Sequence, residues 1–246
     1  MANLIDLFHD YLFVPKCAVC RTRMDRNDIG ICERCRFAYE DLKAEYCDFC
    51  GMEASICTCM PQNLLMNGCT DYRKLAFYKS GGEANAVRTI VYSVKRQHPL
   101  DLMRFLAREM VALDPDGITP ETVVTYAPRS PRALQKYGYD QAKLLAKFFA
   151  KESGCRFRPL LRRRHTKKQA EQKLLNYTQR AANVRGAFVL RNAESVRGKD
   201  IILIDDVVTS GSTVGECVSM LYNAGARSVV CRSIARTYRK NKHKMD

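Results

Sequence analysis

Residues 201–214 read IILIDDVVTSGSTV, two adjacent carboxylates directly behind an apolar run and directly ahead of a hydroxyl-rich turn. Each part suits a different chemical group. Thr209, Ser210, Ser212 and Thr213 surround Gly211, which permits close backbone approach. The turn leads into an expected helix, whose first N–H groups and dipole favour phosphate. Asp205 and Asp206 can accept hydrogen bonds from vicinal hydroxyls or hold water on Mg²⁺. A ligand with a phosphate at one end and a nearby diol satisfies both, and ribose 5-phosphate has that form. Other phosphate chemistries lack their motifs here: there is no Walker A loop and no G-x-G-x-x-G. No histidine has a triad neighbour and no G-x-S-x-G elbow occurs, which argues against covalent catalysis.

A second set of chemistry-bearing residues lies near the start of the chain. Cys17 and Cys20, Cys32 and Cys35, Cys47 and Cys50, and Cys57 and Cys59 form four close pairs. Two residues between cysteines let both thiolates reach one tetrahedral ion from a tight turn, and two such turns complete a Cys₄ site. The spacing predicts two structural zinc sites, closed to substrate because every ligand is a thiolate. Pairing in sequence order and interleaved pairing both satisfy it. Disulfides and a redox dithiol are the alternatives, but a segment this poor in aliphatics needs a staple to fold. Cys217 and Cys231 fall on apolar faces and read as core.

The elements that position these residues follow from periodicity. IILI reads as a buried strand, because a half-exposed strand would alternate in polarity. Thr122–Ala127, Ala187–Leu190, Asp200–Asp205 and Ser228–Ile234 read as strands, and 63–80 as one or two short strands. Ala86–Arg96, Leu100–Leu113, Gln141–Lys151 and 212–224 read as helices, with Asp140 as a cap and Gly225 as a left-handed C-terminal residue. Strands alternating with helices predict an α/β fold with a mainly parallel sheet. Ligands then bind beyond the strands' carboxyl ends, where Asp205 and Asp206 are expected. The predicted domains are residues 1–62, an N-terminal amphipathic helix with the cysteine pairs, and residues 63–246, the α/β part.

The formal charge of +15 falls to roughly +11 if two thiolate sites each carry a net charge of about −2. The excess favours phosphate-bearing partners without separating nucleic acid from a small polyphosphate. No apolar run approaches membrane-span length, and the start lacks a basic leader and a cleavage site, so a cytoplasmic protein is expected.

IILIDDVVTSGSTV resembles the phosphoribosyl pyrophosphate (PRPP) signature of type I phosphoribosyltransferases. The rest of the chain is similar to the ComF family of competence-associated proteins, in the cysteine pairs, Lys95 within SVKRQ, VVTYAPRSPRAL, KYGYDQAKLLAK, Thr166 with Gln169, Arg180, Asn183, GAF at 186–188 and SVVCRSIART. The resemblance implies a type I phosphoribosyltransferase fold with a small N-terminal double zinc ribbon. It assigns the ribose hydroxyls to Asp205 and Asp206 as the catalytic pair, and the 5-phosphate to Thr209, Ser210, Gly211, Ser212 and Thr213. Pyrophosphate falls to Pro128, Arg129 and Ser130. Mg²⁺ would accompany PRPP. The implied activity is phosphoribosyl transfer to an acceptor that the sequence does not identify, in DNA uptake, with single-stranded DNA and a competence helicase as partners. A non-catalytic nucleic-acid accessory and a PRPP sensor without turnover are the alternative readings. Two departures stand out. The last cysteine pair has one spacer residue, and Tyr137-Gly138-Tyr139-Asp140-Gln141 replaces the family's usual Arg-Gly-Phe-Asn-Gln.

Overall fold

The computed structural model describes residues 15–25, 28–79, 86–97, 99–114, 118–164 and 186–238. The expected N-terminal helix, Thr166, Gln169, Arg180 and Asn183 lie outside them. In chain order the helices are α1 (Glu33–Lys43), α2 (Gln62–Met66), α3 (Ala86–Arg96), α4 (Leu100–Val111), α5 (Pro131–Tyr137), α6 (Gln141–Ser153) and α7 (Ser212–Asn223). The strands are β1 (Asp71–Lys79), β2 (Val123–Tyr126), β3 (Arg156–Phe157), β4 (Leu161–Arg163), β5 (Phe188–Leu190), β6 (Asp200–Val208) and β7 (Ser228–Tyr238). Five strands form one sheet in the order β1-β7-β6-β2-β3, with every neighbouring pair parallel. β4 and β5 form a separate antiparallel pair.

The sheet is covered on both faces, which explains the unbroken apolar run. Ile202 and Ile204 pack with residues of α3, α4 and α6 on one side. Ile201 and Leu203 pack with α7, Leu161 and Phe188 on the other. A strand buried on both faces has no polar positions to alternate. Local signals set the helix ends. Asp140 accepts from the Lys143 amide at 3.2 Å to open α6, and Gly154 closes it in the left-handed region.

Two expectations are corrected. β6 does not stop at Asp205 but runs to Val208, because β7 itself extends to Tyr238 and keeps pairing with it. Within 63–80 the first residues are helical: α2 is a single turn with no room for a periodic signal, and one strand, β1, follows.

Arg232 of β7 fastens the edge of the sheet. It is almost fully buried, 2.5 and 2.7 Å from the two Asp114 carboxylate oxygens and 2.7 Å from Asp71. Breaking a buried pair from one side strands the remaining charge, at a cost of about 3–5 kcal/mol. Asp71 still meets the guanidinium in Asp114→Ala, so that variant is expected to lose less, about 1–3 kcal/mol in urea titration, and no measurable loss would contradict the ion pair's burial.

Candidate functional site

The chain leaves β2 towards β3 on one side and leaves β6 towards β7 on the other. The point where the winding direction switches thus lies between β2 and β6, and the crevice beyond their carboxyl ends is where such sheets bind ligands. Both expected segments are there. β2 runs into Pro128-Arg129-Ser130, and β6 runs through Asp205 and Asp206 into the Thr209–Thr213 turn.

The turn has the form of an anion cradle. Gly211 adopts φ 75° and caps α7 without a side chain of its own, and the first amide, Ser212 N, makes only a long 3.4 Å contact to Ser210 Oγ within the turn. A side chain at Gly211 would meet Leu64 Cδ1 at 2.4 Å and Pro61 Cβ at 2.9 Å, so only glycine fits. Asn63, not recognised from sequence, holds the turn from behind. Its amide nitrogen donates to the Ser210 carbonyl at 2.9 Å and lies 3.1 Å from Ser212 Oγ. Asn67 in turn donates to the Asn63 carbonyl at 2.6 Å. Thr209 to Val214, with Asp205, Val207 and Val208, line a cavity of about 50 Å³.

The two aspartates have different surroundings, as the twofold period of a strand requires. Asp205 lines the cavity beside the turn. Burial, then the neighbouring Asp206 charge, pushes its carboxyl well above the usual carboxylate range. Asp206 is 7% exposed and meets two cations: Arg129 Nη2 at 2.5 Å and Lys95 Nζ at 3.9 Å. Of the expected pyrophosphate residues, Arg129 thus sits on an expected ribose residue. The Ser130 hydroxyl accepts from the Ala133 amide at 3.2 Å as the cap of α5, and Pro128 lies in the loop before it.

Residues 139–141 reach both cations' supports. The Tyr139 hydroxyl donates to the Val94 carbonyl, and Gln141 Nε2 donates to the Lys95 carbonyl at 3.2 Å. Asp140 Oδ2 accepts from the Arg129 amide at 3.1 Å, and burial holds its carboxyl above the ordinary range. In the sequence, Lys95 stands only within SVKRQ, and nothing beside it signals a site role.

The cysteines gather in sequence order. Cys17, Cys20, Cys32 and Cys35 form one cluster, and Cys47, Cys50, Cys57 and Cys59 the other, with all sulfurs of each within 4.8 Å. The Cys20–Cys32 and Cys50–Cys57 sulfurs are 3.6 Å apart. A tetrahedron of zinc–sulfur bonds has an S···S edge of about 3.8 Å, whereas a disulfide closes to about 2.05 Å. The donor sets therefore fit zinc. Both first turns share one backbone, thirty positions apart. Cys17 N donates to Thr22 O and Arg21 N to Cys17 O, and Cys47 N donates to Met52 O and Gly51 N to Cys47 O. The residue closing each turn is left-handed, Arg21 at φ 63° and Gly51 at φ 66°. Their surfaces differ: the first exposes Lys16, Arg21 and Arg23, the second Tyr46 and Phe49. Ser93 of α3 donates to the Ala18 carbonyl at 2.7 Å, and fully buried Lys74 of β1 donates to the Cys57 carbonyl at 2.6 Å. Each cluster is thus tied to the α/β part.

Residues 138–246 match the phosphoribosyl transferase domain model. The chain is 26% identical over 224 residues to the DNA utilization protein YhgH of Escherichia coli, covering 90% of this chain and 96% of that one. The Salmonella typhimurium protein of the same name is 26% identical over 226 residues, with the same coverage. Among solved structures, the allosteric regulatory enzyme of purine biosynthesis is 22% identical with a TM-score of 0.35, over 53% of this chain and only 25% of the enzyme. A hypoxanthine phosphoribosyltransferase from Staphylococcus aureus is 13% identical with a TM-score of 0.34, over 58% of this chain and 67% of that one. Scores this low carry no weight beside the matched domain. The matched domain, the relatives aligned over nearly their whole length and the paired cysteine clusters agree with the resemblance to ComF proteins, and residues 138–246 carry a phosphoribosyl transferase domain.

Proposed function

We propose that the crevice between β2 and β6 binds PRPP, with the 5-phosphate in the Thr209–Thr213 turn, ribose hydroxyls on Asp205 and Asp206, and pyrophosphate towards Pro128, Arg129 and Ser130. The observation that carries this reading is the glycine-capped start of α7, which opens on a cavity shared with Asp205. Hydroxyls, helix N–H groups and a carboxylate meet there at the switch point of a parallel sheet.

Mg²⁺ suits the all-oxygen donors of this crevice, and it would neutralise charge on the leaving group while bound with the ligand's phosphates. The chain's part in transfer is positioning. In the reaction the bond between ribose C1 and pyrophosphate oxygen breaks as an acceptor nitrogen bonds to C1. The departing oxygen keeps the electron pair, and the acceptor's proton leaves to solvent. Cations facing the pyrophosphate and hydrogen bonds fixing the ribose lower that barrier without a dedicated nucleophile. Zinc in the two cysteine clusters would be structural, the relatives' name, DNA utilization protein, supports a role in handling DNA, and the setting proposed for it is DNA uptake in the cytoplasm.

A nucleic-acid-handling role, alone or beside a helicase, is the second reading. It is supported by the name of the relatives and by the exposed Lys16, Arg21 and Arg23. A DNA backbone would then lie on the first cysteine turn and not on the second, where Tyr46 and Phe49 are exposed beside Asp48 and Glu53.

Calorimetric titration of PRPP with Mg²⁺ into zinc-replete protein tests the main reading. Binding is expected, weakened about 10- to 100-fold by Asp206→Asn through loss of a charged hydrogen-bond acceptor; no heat from the parent protein overturns it. Asp205 adds a pH signature. Its raised carboxyl pKa makes the ionised form the less stable folded form, so stability is present at low pH and lost as pH rises through that pKa. Asp205→Asn does not titrate. Its melting temperature is expected to gain on the parent's as pH rises from about 4, where an unfolded carboxyl ionises, and a gap that does not widen would refute the assignment. Metal analysis should return close to two zinc ions per chain, and fewer than one would exclude the paired sites.

A further inference from the structure

We propose that Lys95 and Arg129 form a two-cation clamp for a diphosphate, and that Tyr139, Asp140 and Gln141 are the positioning residues that set it. The proposal rests on the PRPP reading for the identity of the ligand, but the clamp itself is defined by geometry. Lys95 lies in the last turn of α3, whose final carbonyls have no partners within the helix. Two of them are taken by side chains from one short segment: Val94 by the Tyr139 hydroxyl and Lys95 by the Gln141 amide. Gln141 is fully buried, and its Oε1 has no hydrogen-bond partner. A buried orphan of that kind is costly, and the carbonyl contact to Lys95 is what its other end supplies.

Between them, Asp140 holds the other cation's backbone, accepting from the Arg129 amide while also capping α6. Gly138, left-handed at φ 75°, ends α5 and turns the chain into this segment. The Arg129 guanidinium is further placed by the Tyr137 ring, 5.2 Å from its centroid. Three consecutive residues thereby fix one lysine and one arginine from separate elements around a common point.

That point is Asp206, whose single negative charge the two cations share. A diphosphate carries more charge than one carboxylate and offers oxygens in the bidentate geometry that guanidinium prefers. It would therefore draw the cations away and free the Asp206 oxygens for ribose hydroxyls. Capture of the ribose then depends on the diphosphate, so the clamp selects PRPP over ribose 5-phosphate.

Titration of inorganic pyrophosphate with Mg²⁺ into the full chain tests the clamp. Lys95→Met is expected to weaken binding about tenfold, Lys95→Arg to restore it to within about threefold, and Tyr139→Phe, which removes one hydroxyl, to weaken it about three- to tenfold. The Lys95→Met/Tyr139→Phe double variant should be no weaker than Lys95→Met alone, since both changes act through one ammonium. Ribose 5-phosphate serves as the reference ligand, with affinity changing less than about twofold in either single variant. Fully additive losses, an unaffected Lys95→Met protein, or no pyrophosphate binding by the parent would each overturn the clamp. If Tyr139→Phe does not fold, the two Lys95 variants decide the matter. PRPP binding that needs Asp206 but ignores Lys95 would sink the clamp and leave the PRPP reading standing. Pyrophosphate binding that follows the expected pattern without any PRPP binding would do the reverse.

Discussion

Burial of β6 on both faces, with parallel neighbours on both edges, is the constraint from which the rest of the molecule follows. It demands four aliphatic residues in a row and places alternate side chains in separate cores. Because the strand continues past its neighbour β2, whose last pair is Tyr126 with Ile204, its final residues emerge where only β7 supports them. The alternation that sorted isoleucines between two cores then sorts the aspartates. Asp205 joins the side of the hydroxyl-rich turn and Asp206 the cationic side, one strand end facing two halves of a crevice.

The cysteine part is less separate than its composition suggests. Ser93 and Lys74 each donate a buried hydrogen bond to a carbonyl of a different cluster, and Phe77 of β1 packs with Cys47 and Cys57. A thiolate–metal centre carries net negative charge, and a buried ammonium beside it offsets part of that charge. Such a centre at the cysteine cluster would help Lys74 to sit fully buried near the Tyr72 and Phe77 rings, with no acidic partner among the described residues.

What could be read from the amino acids was whatever depends on spacing along the chain. The apolar run of β6, the cysteine pairs and the Asp140 cap have local causes and stand where expected. The sequential grouping of the cysteines was open because interleaved turns satisfy the same spacing. Long-range contacts were hidden. Nothing adjacent to Lys95 announces that Tyr139 and Gln141 will cap its helix, and nothing near Asn63 announces the Thr209–Thr213 turn. The segment KYGYDQ was visible as a resemblance, but its physical role became clear only once α3 lay across from it. The extension of β6 was likewise set by a partner strand and not by its own residues, since charged side chains ordinarily suggest that a strand has ended.

Pro61 and Leu64 press against Gly211 so closely that no side chain fits between them, and the segment making that contact begins two residues after Cys59. The floor of the Thr209–Thr213 turn is thus an extension of the second cysteine cluster. Order in one region is order in the other, and free energies coupled in this way are reciprocal. An anion that steadied the turn would then tighten the cluster's hold on a metal, and loss of that metal would weaken anion binding at the turn, although the two sites share no residue.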